Sequence, residues 1–433
     1  MSDTIIPKTF KDILRPLIPR SILNARNAYK DRQALAYLGS LPHEAFAPGE
    51  RPLGINLYGD DNAGTGLSRS VQLLRNAFDA VDLPYSFHHI EEWSGTALNA
   101  AREADQTDYA FNLFHLQPSV WLSFMKQANR RIRDGHYNIA FWLWETPEFP
   151  EEWYPVIDFF DEIWVPSAFI ARAIRNATDK PVKVMYYGIC DEQPEADLHR
   201  SGGISISLAR ARLGIPQDAM LCLILYDGRS SIVRKNPYGA LNAFREAFPN
   251  TPEDVWLVIK GKGFTRAEKR KLERKLKGRP RVVWVEGMLP REEVQELLQT
   301  TDVLLSLHRA EGFGLPVAEV MQYGGVVVAT DYSSTREFMD DSCGCPVGYR
   351  LYRTNRDISL YREGTLWADP DIHDAARQLH RIYWDPQRRR RLGEAAAARI
   401  REQFDVETSG ERMMNRLHMI CKKANLYTGA KEK

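Results

Sequence analysis

From Pro52 onward, short apolar runs alternate with longer stretches whose apolar positions recur every three or four residues. Gly54–Tyr58, Tyr109–Leu113, Ile139–Trp144, Glu162–Val165 and Val182–Tyr187 read as strands, with helical stretches between most of them. After an interval rich in Gly, Ser, Glu and Asp, roughly 188–218, the pattern restarts. Leu221–Tyr226, Val255–Lys260, Val282–Val285, Asp302–Ser306 and Val326–Thr330 then alternate with helices predicted near 237–248, 265–277, 291–299, 316–323 and 334–340. From about 371 the tail is helical.

Regular alternation of strand and helix predicts parallel sheets covered on both faces, because a parallel crossover needs a helix to return the chain. Two such series in succession predict an α/β chain of two Rossmann-like domains. Ligands of these folds sit at the carboxyl ends of the strands, here in the cleft where the two sheets face each other. A length of 433 residues agrees with two cores rather than one.

The first 45 residues follow another pattern. Up to Arg32 they hold seven Lys/Arg (Lys8, Lys11, Arg15, Arg20, Arg26, Lys30, Arg32) against Asp3, Asp12 and Asp31. Phe10, Ile13, Leu14, Leu17, Ile18, Ile22 and Leu23 recur at helical steps, with breaks near Pro16 and Pro19. Such a basic amphipathic segment suits either an anionic membrane surface or the protein's own flank. The expected division is therefore an arm over 1–45, domains over 46–195 and 196–405, and a final helix over 406–433 that crosses back to the first domain.

Composition narrows the classes. Net charge is +1, which gives no global field for nucleic acid. The nine Lys/Arg of Arg266–Arg281 and the run Arg388–Arg391 sit among Glu and Leu on predicted helices and read as solvated faces. The five Cys (190, 222, 343, 345, 421) are too scattered for a disulfide framework. No apolar run reaches the length of a membrane span and no secretory leader is recognisable. A cytoplasmic location is expected, free or peripheral at the inner face of the membrane.

The chemistry concentrates in HRAEGFGLPVAEV. Glu311 and Glu319 stand eight residues apart around the turn Gly312-Phe313-Gly314, between strand 302–306 and a helix opening at Pro316. Backbone N–H groups at such a turn and helix start attract anions, and the carboxylates accept hydrogen bonds from hydroxyls. Phosphate donors beside hydroxyl acceptors fit a nucleotide sugar. In the same half, Asp227-Gly228-Arg229 follows a strand and Arg234-Lys235-Asn236-Pro237 opens the next helix. Two cations there would stand where charge on a leaving diphosphate develops. In the other half, the Gly-rich turn from Gly59 to Gly66 lets backbone approach a phosphate or sugar. Ile139-Ala-Phe-Trp-Leu-Trp144-Glu145 ends a strand in an aromatic and a carboxylate.

These residues resemble the E-x7-E motif, in its EGFGLPxxE form, of the retaining family 4 glycosyltransferases, and the resemblance extends over about 52–425. It implies the GT-B fold, with no metal and no cofactor beyond the GDP- or UDP-linked sugar that is the substrate. By resemblance, Glu311 touches the donor sugar, Glu319 holds the nucleotide ribose, and Gly312, Phe313, Gly314 and Leu315 line phosphate and sugar. His308 and Arg309 would line the sugar pocket. Lys235 and either Arg229 or Arg234 would form the leaving-group pair, since the six-residue Arg229–Lys235 spacing departs from the family's usual five. Gly64 and Gly66 would face the diphosphate from the first domain.

On the acceptor side, many relatives carry a His where this chain carries Glu145, which would orient the acceptor hydroxyl or act as its base. Trp144 would stack on a sugar, and His115 would edge the acceptor. The W-x-W-E-x-P-x-F-P pattern resembles a polysaccharide subgroup associated with mannose and rhamnose. That favours GDP-mannose and a saccharide or lipid-linked acceptor in surface polysaccharide synthesis. The competing readings are an epimerase or hydrolase on the same fold, and a sugar- or membrane-binding protein without catalysis.

Overall fold

The computed structural model describes residues 20–62, 65–91, 108–128, 131–189, 209–263 and 265–428, with side chains described from Ala28 to Asn425, Arg229 excepted. The first sheet contains β1 (Ile55–Gly59), β2 (Tyr85–His89), β3 (Phe111–Phe114), β4 (Tyr137–Phe141), β5 (Glu162–Val165) and β6 (Val182–Val184). They lie in the order β2-β1-β3-β4-β5-β6, every pair parallel. The second sheet contains β7 (Met220–Asp227), β8 (Val255–Lys262), β9 (Val282–Glu286), β10 (Val303–Ser306), β11 (Val326–Thr330) and β12 (Cys345–Val347). Its order is β12-β11-β10-β7-β8-β9, again parallel throughout. A hairpin of β13 (Tyr349–Arg353) and β14 (Leu366–Pro370) follows.

The central strands are apolar on both faces because helices cover both; β1, β3 and β11 are buried at every position. In each sheet the winding direction reverses once. It does so between β1 and β3 in the first and between β7 and β10 in the second. Loops leaving these strands diverge and open a crevice. The Gly-rich turn and the segment after Phe114 leave one switch point; Arg234-Lys235 and Glu311 leave the other.

The final helix Val406–Thr428 returns to the first sheet. It packs on the helix Gly66–Asp79, so closely that a Cβ on Gly410 would stand 2.1 Å from the Ala77 carbonyl oxygen. Arg416 of the same helix donates through Nε at 2.9 Å to the buried carboxylate of Glu162 on β5. Of the expected arm, the structure describes the last part. A helix runs Arg20–Ser40, and Leu35, Leu38 and Leu41 pack into the core of the first half that also holds Trp121 and Phe160. Residues 1–19 lie outside the described residues.

Five elements differ from expectation. β2 (YSFHH) carries two histidines and half-buried positions, so it has no apolar run to announce it. The helix expected over 334–340 is a short 3₁₀ turn, Ser333–Glu337. There Ser334 Oγ donates to the Glu311 carbonyl at 2.8 Å and Thr335 Oγ1 to the Tyr332 carbonyl at 3.2 Å, bonds that compete with an α-helical ladder. β12 is only three residues long, and the β13–β14 hairpin is short and charged, so neither stands out in the pattern. Among the described residues no helix is long and apolar enough to cross a membrane.

Candidate active site

The Gly-rich turn of the second half takes its shape from two glycines. Gly314 precedes the helix Leu315–Gln322 with φ at +95°, and a Cβ there would meet Thr335 Cγ2 at 2.8 Å. A Cβ on Gly312 would meet the Trp144 carbonyl oxygen at 2.8 Å, so the turn presses directly on the first half of the chain. Ser167 Oγ donates to the Gly312 carbonyl at 2.7 Å from the same side. Pro316 suits the helix start because its missing N–H would have no intrahelical partner.

Glu311 and Arg234 form the buried centre. Lys235 Nζ donates to Glu311 Oε1 at 2.5 Å, and an Arg234 Nη atom stands 3.3 Å from the same oxygen. Burial alone would raise the Glu311 carboxyl, but Lys235 and Arg234 outweigh it and hold it at about 2. Arg234 is 2% exposed and donates to the Ala310 carbonyl at 2.8 Å and the Ser230 carbonyl at 3.3 Å. Burial opposes its charge, and the neighbouring Tyr361, Glu145 (at 3.4 Å) and Glu311 more than restore it. Tyr361, from the loop of the hairpin, donates its hydroxyl to Glu145 Oε2 at 3.0 Å. Lys235 differs from Arg234 in exposure; with a fifth of its side chain open, it is the one of the two more accessible to a ligand.

A cavity of about 340 Å³ lies over this centre. Lys235, Arg234, Glu311, Gly312, Phe313, Gly314, Leu315 and Glu319 form its second-half wall. Gly66, Arg69, Gln117 and Glu145 face them from the first half. Glu319 Oε1 accepts from Arg291 Nη2 at 2.6 Å and from Arg69 Nε at 3.0 Å. Lys262 lines the same space, 3.0 Å from Asp227.

Several expected site residues lie elsewhere. Trp144 is 4% exposed, its indole N–H donates to the Glu148 carbonyl at 2.7 Å, and its ring packs among Phe149, Trp153 and Tyr361. It is core, and no face is open to a sugar. His308 is fully buried behind the motif between Ser306 and Tyr332, and burial pushes its imidazole down to about 4. Arg309 points away, donating to the Val233 carbonyl at 2.7 Å and to Asp369 at 3.0 Å. His115 meets Ser70 Oγ at 2.6 Å, stacks on Phe141, and is likewise pushed down by burial to about 4. A buried aromatic or imidazole after a strand looks the same in sequence whether it points into the cleft or under it. Gly64 lies outside the described residues, as does the Arg229 side chain.

Sequence reasoning missed Arg69, Arg291 and Tyr361. Arg69 follows the Gly-rich turn by one helical turn, a spacing that offered a signal; Arg291 and Tyr361 had none. Glu337, which follows a strand in the sequence pattern, accepts from the backbone N–H groups of Ala168 at 2.8 Å and Phe169 at 2.7 Å, joining the two halves.

Residues 215–399 match the family model described as glycosyl transferases group 1. No curated protein matches the sequence. Among solved structures the chain resembles Anabaena Alr3699/HepE in complex with UDP and glucose, with 13% identity over 85% of this chain and 100% of that one, TM-score 0.60. It also resembles the sucrose-phosphate synthase of Thermosynechococcus elongatus, with 17% identity over 86% and 99% of the two chains, TM-score 0.60. A glycosyltransferase from Rickettsia africae is similar at 9% identity over 86% and 99%, TM-score 0.58. At such identities the likeness is one of fold, and with two parallel sheets it establishes the GT-B architecture. The chain thus has the GT-B fold, and its second half carries the match to the group 1 glycosyltransferases.

Proposed function

We propose that the protein is a retaining, metal-independent glycosyltransferase of the E-x7-E type. It moves a hexose, with mannose favoured by the subgroup resemblance, from a nucleoside diphosphate sugar to a hydroxyl of a saccharide or lipid-linked saccharide. The observation that carries this reading is the convergence of Lys235 and Arg234 on Glu311, in a cavity that Glu319 also lines. A cation that can leave a carboxylate, beside backbone donors, suits a departing diphosphate; the freed carboxylate suits a sugar hydroxyl. The anomeric bond to phosphate breaks, and the acceptor oxygen bonds to the same face. The acceptor proton leaves with the diphosphate. Glu145, held by Arg234 and Tyr361, orients the acceptor hydroxyl.

The test is proton NMR of the reaction with GDP-mannose and with UDP-glucose, with and without saccharide acceptors. The expected product keeps the donor's anomeric configuration, and nucleoside diphosphate accumulates only with an acceptor. An inverted product, or donor consumed equally fast without acceptor, contradicts the reading.

A further inference from the structure

Arg69 belongs to the first half of the chain, yet its partner Glu319 belongs to the second. It lies in the first turn of the helix Gly66–Asp79, where its backbone N–H donates to the Thr65 carbonyl at 3.1 Å. Its side chain crosses the cleft and shares a single oxygen, Glu319 Oε1, with Arg291. Two guanidinium groups on one carboxylate oxygen are more than the carboxylate needs. Arg291, from its own half and at the shorter distance, satisfies Glu319 without help. The surplus cation is therefore Arg69, and it lines the same cavity as Gly66, Lys235 and Gly314.

We propose that Arg69 is an exchangeable cation that spans the cleft and transfers from Glu319 to the donor's diphosphate on binding. The proposal rests on the nucleotide-sugar reading and adds to it a positioning residue from the opposite wall. By leaving Glu319, Arg69 opens that carboxylate to the ribose hydroxyls. The guanidinium gains a bidentate phosphate partner, a stronger contact than its single Nε bond. Because Arg69 sits on the first half and Glu319 on the second, the exchange also ties the closure of the cleft to the presence of phosphate.

The test separates phosphate from nucleoside. Ligand-observed NMR titration reads affinities down to the millimolar range for UDP, GDP, uridine and guanosine, on wild type, Arg69→Ala and Arg69→Lys. For the diphosphate that wild type binds, Arg69→Ala is expected to weaken affinity about tenfold or more, the scale of one charge-assisted contact. The corresponding nucleoside should bind Arg69→Ala as well as wild type or better, since Glu319 is freed. Arg69→Lys should recover part of the diphosphate affinity. Equal losses for diphosphate and nucleoside, or no loss for either, overturn the exchange while leaving the transferase reading intact. Failure of wild type to bind either diphosphate overturns the transferase reading and the exchange with it.

Discussion

The two walls of the cleft are built on the same plan, a parallel sheet with a Gly-rich turn at its switch point, yet they use their side chains differently. On the second wall the motif residues converge: Lys235 and Arg234 both reach Glu311 Oε1, at 2.5 and 3.3 Å. On the first wall the conspicuous residues withdraw. Trp144 and His115 are buried, and the residues that reach the cavity include Glu145, Gln117 and Arg69. Charge is costly to bury without a partner, so a charged motif declares its site. An aromatic ring is as well placed in a core as in a cleft, so an aromatic motif does not.

Four substitutions break or sharpen that contrast. Lys235→Ala should lower kcat by about 100-fold or more, with a smaller effect on donor KM, because the proposed function places Lys235 where charge develops. Steady-state kinetics decide this, and a rise in KM with kcat intact refutes the leaving-group role. Glu311→Gln should cost roughly 3 kcal/mol of stability, because Arg234 stays buried and loses a counter-charge. The sign in pH follows from the depressed carboxyl. Its stabilisation is present above its ordinary value near 4.5 and is lost as pH falls toward about 2, so the variant should lack that acid limb in chemical denaturation.

Gly312→Ala should lower kcat/KM by roughly tenfold, since its Cβ would press on the Trp144 carbonyl and part the walls by a fraction of an ångström. The smallest kinetic effect belongs to the first wall. His115→Gln should leave donor and acceptor KM near wild type while changing the pH dependence of stability. An imidazole held at about 4 in the fold and near 6.5 when unfolded destabilises the fold as pH drops through that interval. Replacing it should flatten that part of the curve. A large rise in acceptor KM would instead return His115 to the acceptor site.

Much of the fold is legible in the sequence because parallel strands buried on both faces are continuous apolar runs. Val326–Thr330 and Glu162–Val165 match the structure residue for residue. What escapes, β2 and the hairpin, is short or edge-placed, where one face is wet and apolar runs are broken. At the site, Glu311, Glu319 and Lys235 are legible because spacing and charge both point to them. Tyr361 is not, and Arg69 is only hinted at by its place one helical turn after the Gly-rich turn. They reach Glu145 and Glu319 across 216 and 250 residues of sequence, and no local pattern announces such long-range pairs. Arg234 stands beside Lys235 at Glu311 through packing, and its burial there is invisible in a spacing rule.

The second wall is proposed to be a nucleotide-sugar site. This is tested most directly by thermal stabilisation with a panel of nucleoside diphosphates and nucleotide sugars, on wild type and on Glu319→Ala, each against its own ligand-free midpoint. A midpoint rise with one diphosphate nucleotide and its sugar is expected in wild type, abolished in the variant. If no nucleotide moves the wild-type midpoint, the proposal is wrong.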